Sequence, residues 1–97
     1  MSSAVWRYKL EARTTQEVEM PWGARVLRLA VQGGGPCLWV LVEPAVAAKK
    51  LREFRLYATG EEIPDASQLE YIGSIVAEDH SGKPEVIHCF EALRIIV

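Results

Sequence analysis

Residues 25–42 read RVLRLAVQGGGPCLWVLV, two apolar runs on either side of three glycines and a proline. In the first run Leu27, Leu29 and Val31 alternate with Val26, Arg28, Ala30 and Gln32, the period-two pattern of a strand with one core face and one mixed face. In the second, Cys37, Trp39 and Leu41 alternate with Leu38, Val40 and Val42, so both faces are apolar and the run reads as the central, most buried strand. Gly33, Gly34, Gly35 and Pro36 form the strongest break in the chain, and their place between two strands predicts a hairpin.

The same reading extends in both directions. Residues 5–10 (VWRYKL) alternate Trp6, Tyr8 and Leu10 with Arg7 and Lys9, and residues 17–20 give a short strand ended by Pro21, Trp22 and Gly23. Beyond Glu43 and Pro44, residues 45–51 read as a short helix or as a loop carrying Lys49 and Lys50. Residues 52–59 place Phe54, Leu56 and Ala58 inward and Arg55, Tyr57 and Thr59 outward. Residues 61–70 are a polar connection with room for one helical turn. Residues 71–77 and 85–90 are strands joined through the turn formers Asp79 to Pro84, an antiparallel hairpin. The tail, residues 92–97, ends in Ile95, Ile96 and Val97 and reads as a final strand or a subunit contact. The expectation is one all-β domain over residues 1–97, a small antiparallel β-sandwich or barrel of six to eight strands with little helix. Trp39 lies two residues after Cys37, which is not immunoglobulin spacing.

Composition narrows the function classes. The apolar fraction is 49% and the charged fraction 25%, the values of an ordinary globular domain. A chain of 97 residues buries a limited share of its surface, which favours self-association. The net charge of −2 comes from 11 basic and 13 acidic residues with no long single-sign run, so no nucleic-acid partner is expected. Charges interrupt every apolar run, so no membrane partner is expected. Cys37 and Cys89 sit in apolar runs with no secretory signal before them, which places the protein in the cytoplasm with both thiols reduced.

The landmarks VWRYKL, EMPWGARVL, VQGGGPCLWVLV, FRLYATG and YIGS followed by VIHCFE occur in that order from Val5 to Glu91. As a set they resemble a family of short, uncharacterised proteins of bacterial and phage genomes. The resemblance implies a small stand-alone β protein of a phage or prophage setting, and it carries no catalytic residues.

No catalytic constellation emerges. His88 and Cys89 are neighbours on a strand and point to opposite faces, and neither a C-x-x-C nor an H-x-x-x-H pair occurs, so no metal and no cofactor are expected. Ser74 and Ser81 stand in no nucleophile elbow, and thiols in apolar surroundings are inert. The glycine turn lacks the helix and the Lys-Ser/Thr of a phosphate loop. Trp6 and Trp39 are assigned to the core and Trp22 to a plug at the end of the barrel. The candidate ligand-binding residues are Arg28, Arg55, Tyr57 and His88, which strand parity turns away from the main apolar face. If their faces converge, Arg grips a phosphate or carboxylate and Tyr57 stacks on a base. The expected function is therefore a non-enzymatic binding protein that holds a small anionic, nucleotide-like host ligand as a homo-oligomer. The alternatives are an interaction module that docks a host or virion protein, and a small hydrolase using His88 or His80 as base.

Overall fold

The computed structural model describes residues 2–93. Seven strands are formed among them: β1 (Ala4–Lys9), β2 (Thr15–Pro21), β3 (Arg25–Gln32), β4 (Gly35–Val42), β5 (Lys49–Ala58), β6 (Leu69–Glu78) and β7 (Pro84–Ala92). A single 3₁₀ turn, Ala66–Gln68, precedes β6. Sheet 1 has the order β1-β4-β3 and sheet 2 the order β2-β5-β7-β6. Every pairing is antiparallel. The sheets stack as a thin sandwich with β3 lying over β6, and the chain extends 46 × 35 × 16 Å. The expected all-β sandwich is what forms, and β4 is the central strand of sheet 1.

The β3–β4 hairpin turns on Gly33 and Gly34, whose φ values of 64° and 82° are left-handed at both positions. Such two-residue turns match the twist of the flanking strands, and glycine adopts them without strain. Inward-facing Leu38, Val40 and Val42 of sheet 1 meet Phe54 and Leu56 of sheet 2, with Met20 and Leu10 closing the core. Each such buried side chain contributes about 1.5–3 kcal/mol. At one end the Arg52 guanidinium pins the layers together. It donates from Nε to Glu91 Oε2 (2.6 Å), from Nη2 to Glu91 Oε1 (2.8 Å) and from Nη1 to the carbonyl of Ala24.

Several sequence expectations are corrected. Residues 45–51 contain no helix: 49–51 belong to β5, whose first half pairs with β2 from Pro21↔Lys49 to Glu19↔Leu51. That ladder satisfies the backbone groups a helix would have used. A register shift between Val26 and Arg28 interrupts β3, so Val26 turns inward against the core and Leu27 is left exposed. None of the tryptophans is fully buried. Trp22 is 51% exposed beside the Lys50 ammonium, so it is not a plug. Trp6 points toward the core side, but β1 is an edge strand and leaves it 37% exposed. Trp39 is half-buried on the outer face of sheet 1, because Leu38, Val40 and Val42 take the inner one. Of the tail, β7 runs on to Ala92, and residues 94–97 lie outside the described residues.

Candidate binding face

Parity along β5, β7 and β6 builds the outer face of sheet 2. With Phe54, Leu56 and Cys89 committed inward, Arg55, Tyr57 and Thr59 must face out. Register brings Phe90 opposite Arg55 and His88 opposite Tyr57, while Tyr71 lies opposite Phe90 and Ser74 opposite His88. Three of the four residues anticipated from the sequence, Arg55, Tyr57 and His88, therefore share one surface. Arg28 does not join them: it lies on the outer face of sheet 1, opposite Trp39.

The cluster is internally ordered. His88 Nε2 and Thr59 Oγ1 are 2.8 Å apart, and His88 Nδ1 and the Tyr71 hydroxyl are 2.9 Å apart. One hydroxyl donates to the unprotonated ring nitrogen and the other accepts from the ring N–H, so a neutral imidazole satisfies both bonds in either tautomer. Phe90 packs edge-on against Tyr71, with centroids 5.1 Å apart, and against Tyr57 at 6.1 Å. Both geometries are the favoured T-shape. Tyr57 is only 5% exposed, whereas Tyr71 is 52% exposed. A planar ligand would therefore meet Tyr71, and Tyr57 acts from beneath. Arg55 Nε donates to Glu53 Oε2 at 2.7 Å. The Glu53 carboxylate, and then the Tyr57 hydroxyl, hold the Arg55 pKa above its ordinary value.

Tyr71 and Phe90 were not singled out by sequence reasoning. Their signal was present as aromatic residues of the right parity, but joining them to Arg55 and His88 requires the β5-β7-β6 order. Past His88 the face becomes apolar, with Val76 opposite Val86 and both exposed.

Among the described residues no group of three or more His, Cys, Asp and Glu could hold a metal ion. Cys37 and Cys89 are free and buried, one in each sheet. Burial, followed by the charge of Glu91, pushes the Cys89 thiol up to about 12. His80 sits in the exposed turn between β6 and β7. No described helix is long and apolar enough to cross a membrane.

Fold and surface thus define a small antiparallel β-sandwich with an ordered aromatic and polar patch on one layer. The family model described as a domain of unknown function (DUF7352) matches residues 1–94, and the chain belongs to that family. No curated protein and no solved structure matches it.

Proposed function

We propose that this protein is a non-enzymatic binding protein that holds a small anionic, nucleotide-like ligand on the outer face of sheet 2. The observation that carries the reading is the convergence of Arg55, Tyr57 and His88 with the exposed, hydrogen-bonded ring of Tyr71. Arg55 and Tyr71 are separated by β7, two strand spacings or roughly 10 Å. That separation is comparable with the reach from a base to its phosphate. A base stacks on Tyr71 and the phosphate exchanges with Glu53 for the Arg55 guanidinium, with the Phe90 ring between them on β7 and the Ser74 hydroxyl opposite His88 in the next row. The exposed Val76 and Val86 beside the patch give a second copy of the chain an apolar footing, so the ligand is enclosed in a homo-oligomer. A phage or prophage setting and a cytoplasmic location complete the reading, with a host nucleotide as the sequestered species.

Native mass spectrometry of the protein purified from cells, with and without a pool of cellular nucleotides, tests this. An oligomer carrying a small-molecule mass that Tyr71→Ala loses supports the reading. A bare species that ignores the pool transfers the weight to a protein-docking role for the same face.

A further inference from the structure

We propose that the outer face of sheet 1 is a second binding surface, and that it takes single-stranded nucleic acid. β1, β3 and β4 carry Arg7, Lys9, Arg25 and Arg28 and not one aspartate or glutamate. Sheet 2 is the reverse, with two glutamates in β2, one in β5, two in β6 and two in β7 against four cations, all in β5. The net charge of −2 averages over this segregation. The composition argument against nucleic acid therefore does not apply to this face.

Register gathers all four cations on the same side. Arg7 and Arg28 lie opposite Trp39 from its two neighbouring strands, Lys9 lies opposite Cys37, and Arg25 opposite Leu41. Arg25 and Arg28 are three residues apart and would point to opposite faces of a regular strand. The register shift between Val26 and Arg28 returns them to one face. Gln32 accepts from Arg7 Nη1 and aims that guanidinium. Both ion pairs found among the described residues lie in sheet 2, and the acid that borders this face, Glu43, follows β4 at the Arg25 end.

A half-buried indole between two guanidiniums is a platform on which a base stacks while its flanking phosphates meet arginine. The geometry selects a single strand. Reading a duplex takes a helix or narrow ribbon that enters a groove, whereas a flat sheet face reaches base planes only where the bases are unstacked. Four cations on three strands that carry no acid of their own also leave a counterion requirement that a polyanion replaces.

Fluorescence anisotropy of the full chain with 5′-labelled oligothymidylate of twenty nucleotides, from 25 to 300 mM KCl, tests the proposal. Four phosphate contacts give a slope of log affinity against log salt of about −3. Arg25→Gln with Arg28→Gln, both exposed and remote from the core, halves that slope to about −1.4 and weakens binding at 50 mM salt at least tenfold. In a Trp6→Phe, Trp22→Phe background the oligonucleotide quenches Trp39 emission. Absence of binding at 25 mM KCl, or an unchanged slope in the double glutamine variant, overturns the proposal. So does equal competition by a duplex or by polyglutamate, which reduces the face to nonspecific charge. Tyr71→Ala leaves the affinity intact if the strand lies on sheet 1. Loss of binding in that variant places the oligonucleotide on sheet 2 and refutes the second surface without harming the first.

Discussion

Replacing Arg52 with alanine removes the pin between the layers. Its side chain and that of Glu91 are each 15% exposed, and the fork donates two bonds to Glu91 and one to the Ala24 carbonyl where β3 begins. Breaking a buried pair by deleting one partner costs about 3–5 kcal/mol, while an exposed pair contributes about 0–1. Mostly buried but still wetted at the rim, this pair falls between those limits, at about 2–3 kcal/mol. At about 4–8 °C per kcal/mol for a domain of this size, the melting temperature falls by about 10–20 °C. Urea denaturation followed by tryptophan fluorescence, with thermal circular dichroism alongside, measures it. The double variant Arg52→Ala with Glu91→Gln is expected to lose less than Arg52→Ala alone, because no orphaned carboxylate remains. A loss below about 0.5 kcal/mol in Arg52→Ala refutes the reasoning, since that is the behaviour of a surface ion pair.

Gly34→Ala places a side chain at φ 82° and is expected to cost about 1 kcal/mol in the same denaturation assay, with no change of sheet topology. The native Cys89 thiol, pushed up to about 12 by burial, should not react with Ellman's reagent at pH 8. Because its folded pKa is raised, the stability it contributes is complete below about pH 8.5, where the unfolded thiol begins to ionise, and declines as pH rises toward 12. Asp79 Oδ1 accepts from the Ser81 hydroxyl and from the backbone N–H groups of Ser81 and Lys83, and these bonds, the Ser81 hydroxyl foremost, lower its pKa. Its support of the β6–β7 turn is therefore present above the usual aspartate range and lost as pH falls through the lowered value. Hydrogen exchange at Ser81 and Lys83 should report that loss in the wild type and no pH step in Asp79→Asn.

Alternation and turn chemistry were enough to place the strands, because both act within a few residues. The Gly33–Gly34 turn fixed β3 against β4, and the run of turn formers from Asp79 to Pro84 fixed β6 against β7. What escaped the sequence depends on contacts between distant segments. Residues 49–51 became strand because β2 was there to pair with them. Trp39 turned outward because the opposite parity of β4 fills a core that already holds Phe54 and Leu56. The shift at Val26 leaves no local signature, yet it decides that Arg25 and Arg28 share a face. Arg28 and Arg55 have the same outward parity in their own strands and still end on opposite sides of the molecule, since parity says nothing about which sheet a strand joins.

The order of the sheet 2 face is itself an argument for binding. A two-layer sandwich needs only its inward residues to be fixed, and outward side chains ordinarily keep their rotamer freedom in water. Here Tyr57 is 5% exposed on an outer face, Phe90 holds two rings edge-on, and His88 is bonded at both nitrogens. Freezing such side chains costs up to about 1–2 kcal/mol each, which the edge-on ring pairs offset in part. Under the proposed function the remainder is recovered at binding, because a ligand that meets pre-set rings and hydroxyls avoids the ordering cost. Loosening the network without touching the exposed ring should therefore weaken the ligand. In Thr59→Val the His88 bond is lost while Tyr71 remains, and binding read by native mass spectrometry should fall several-fold with the melting temperature nearly unchanged. Unchanged affinity would mean that the order on this face serves the fold alone.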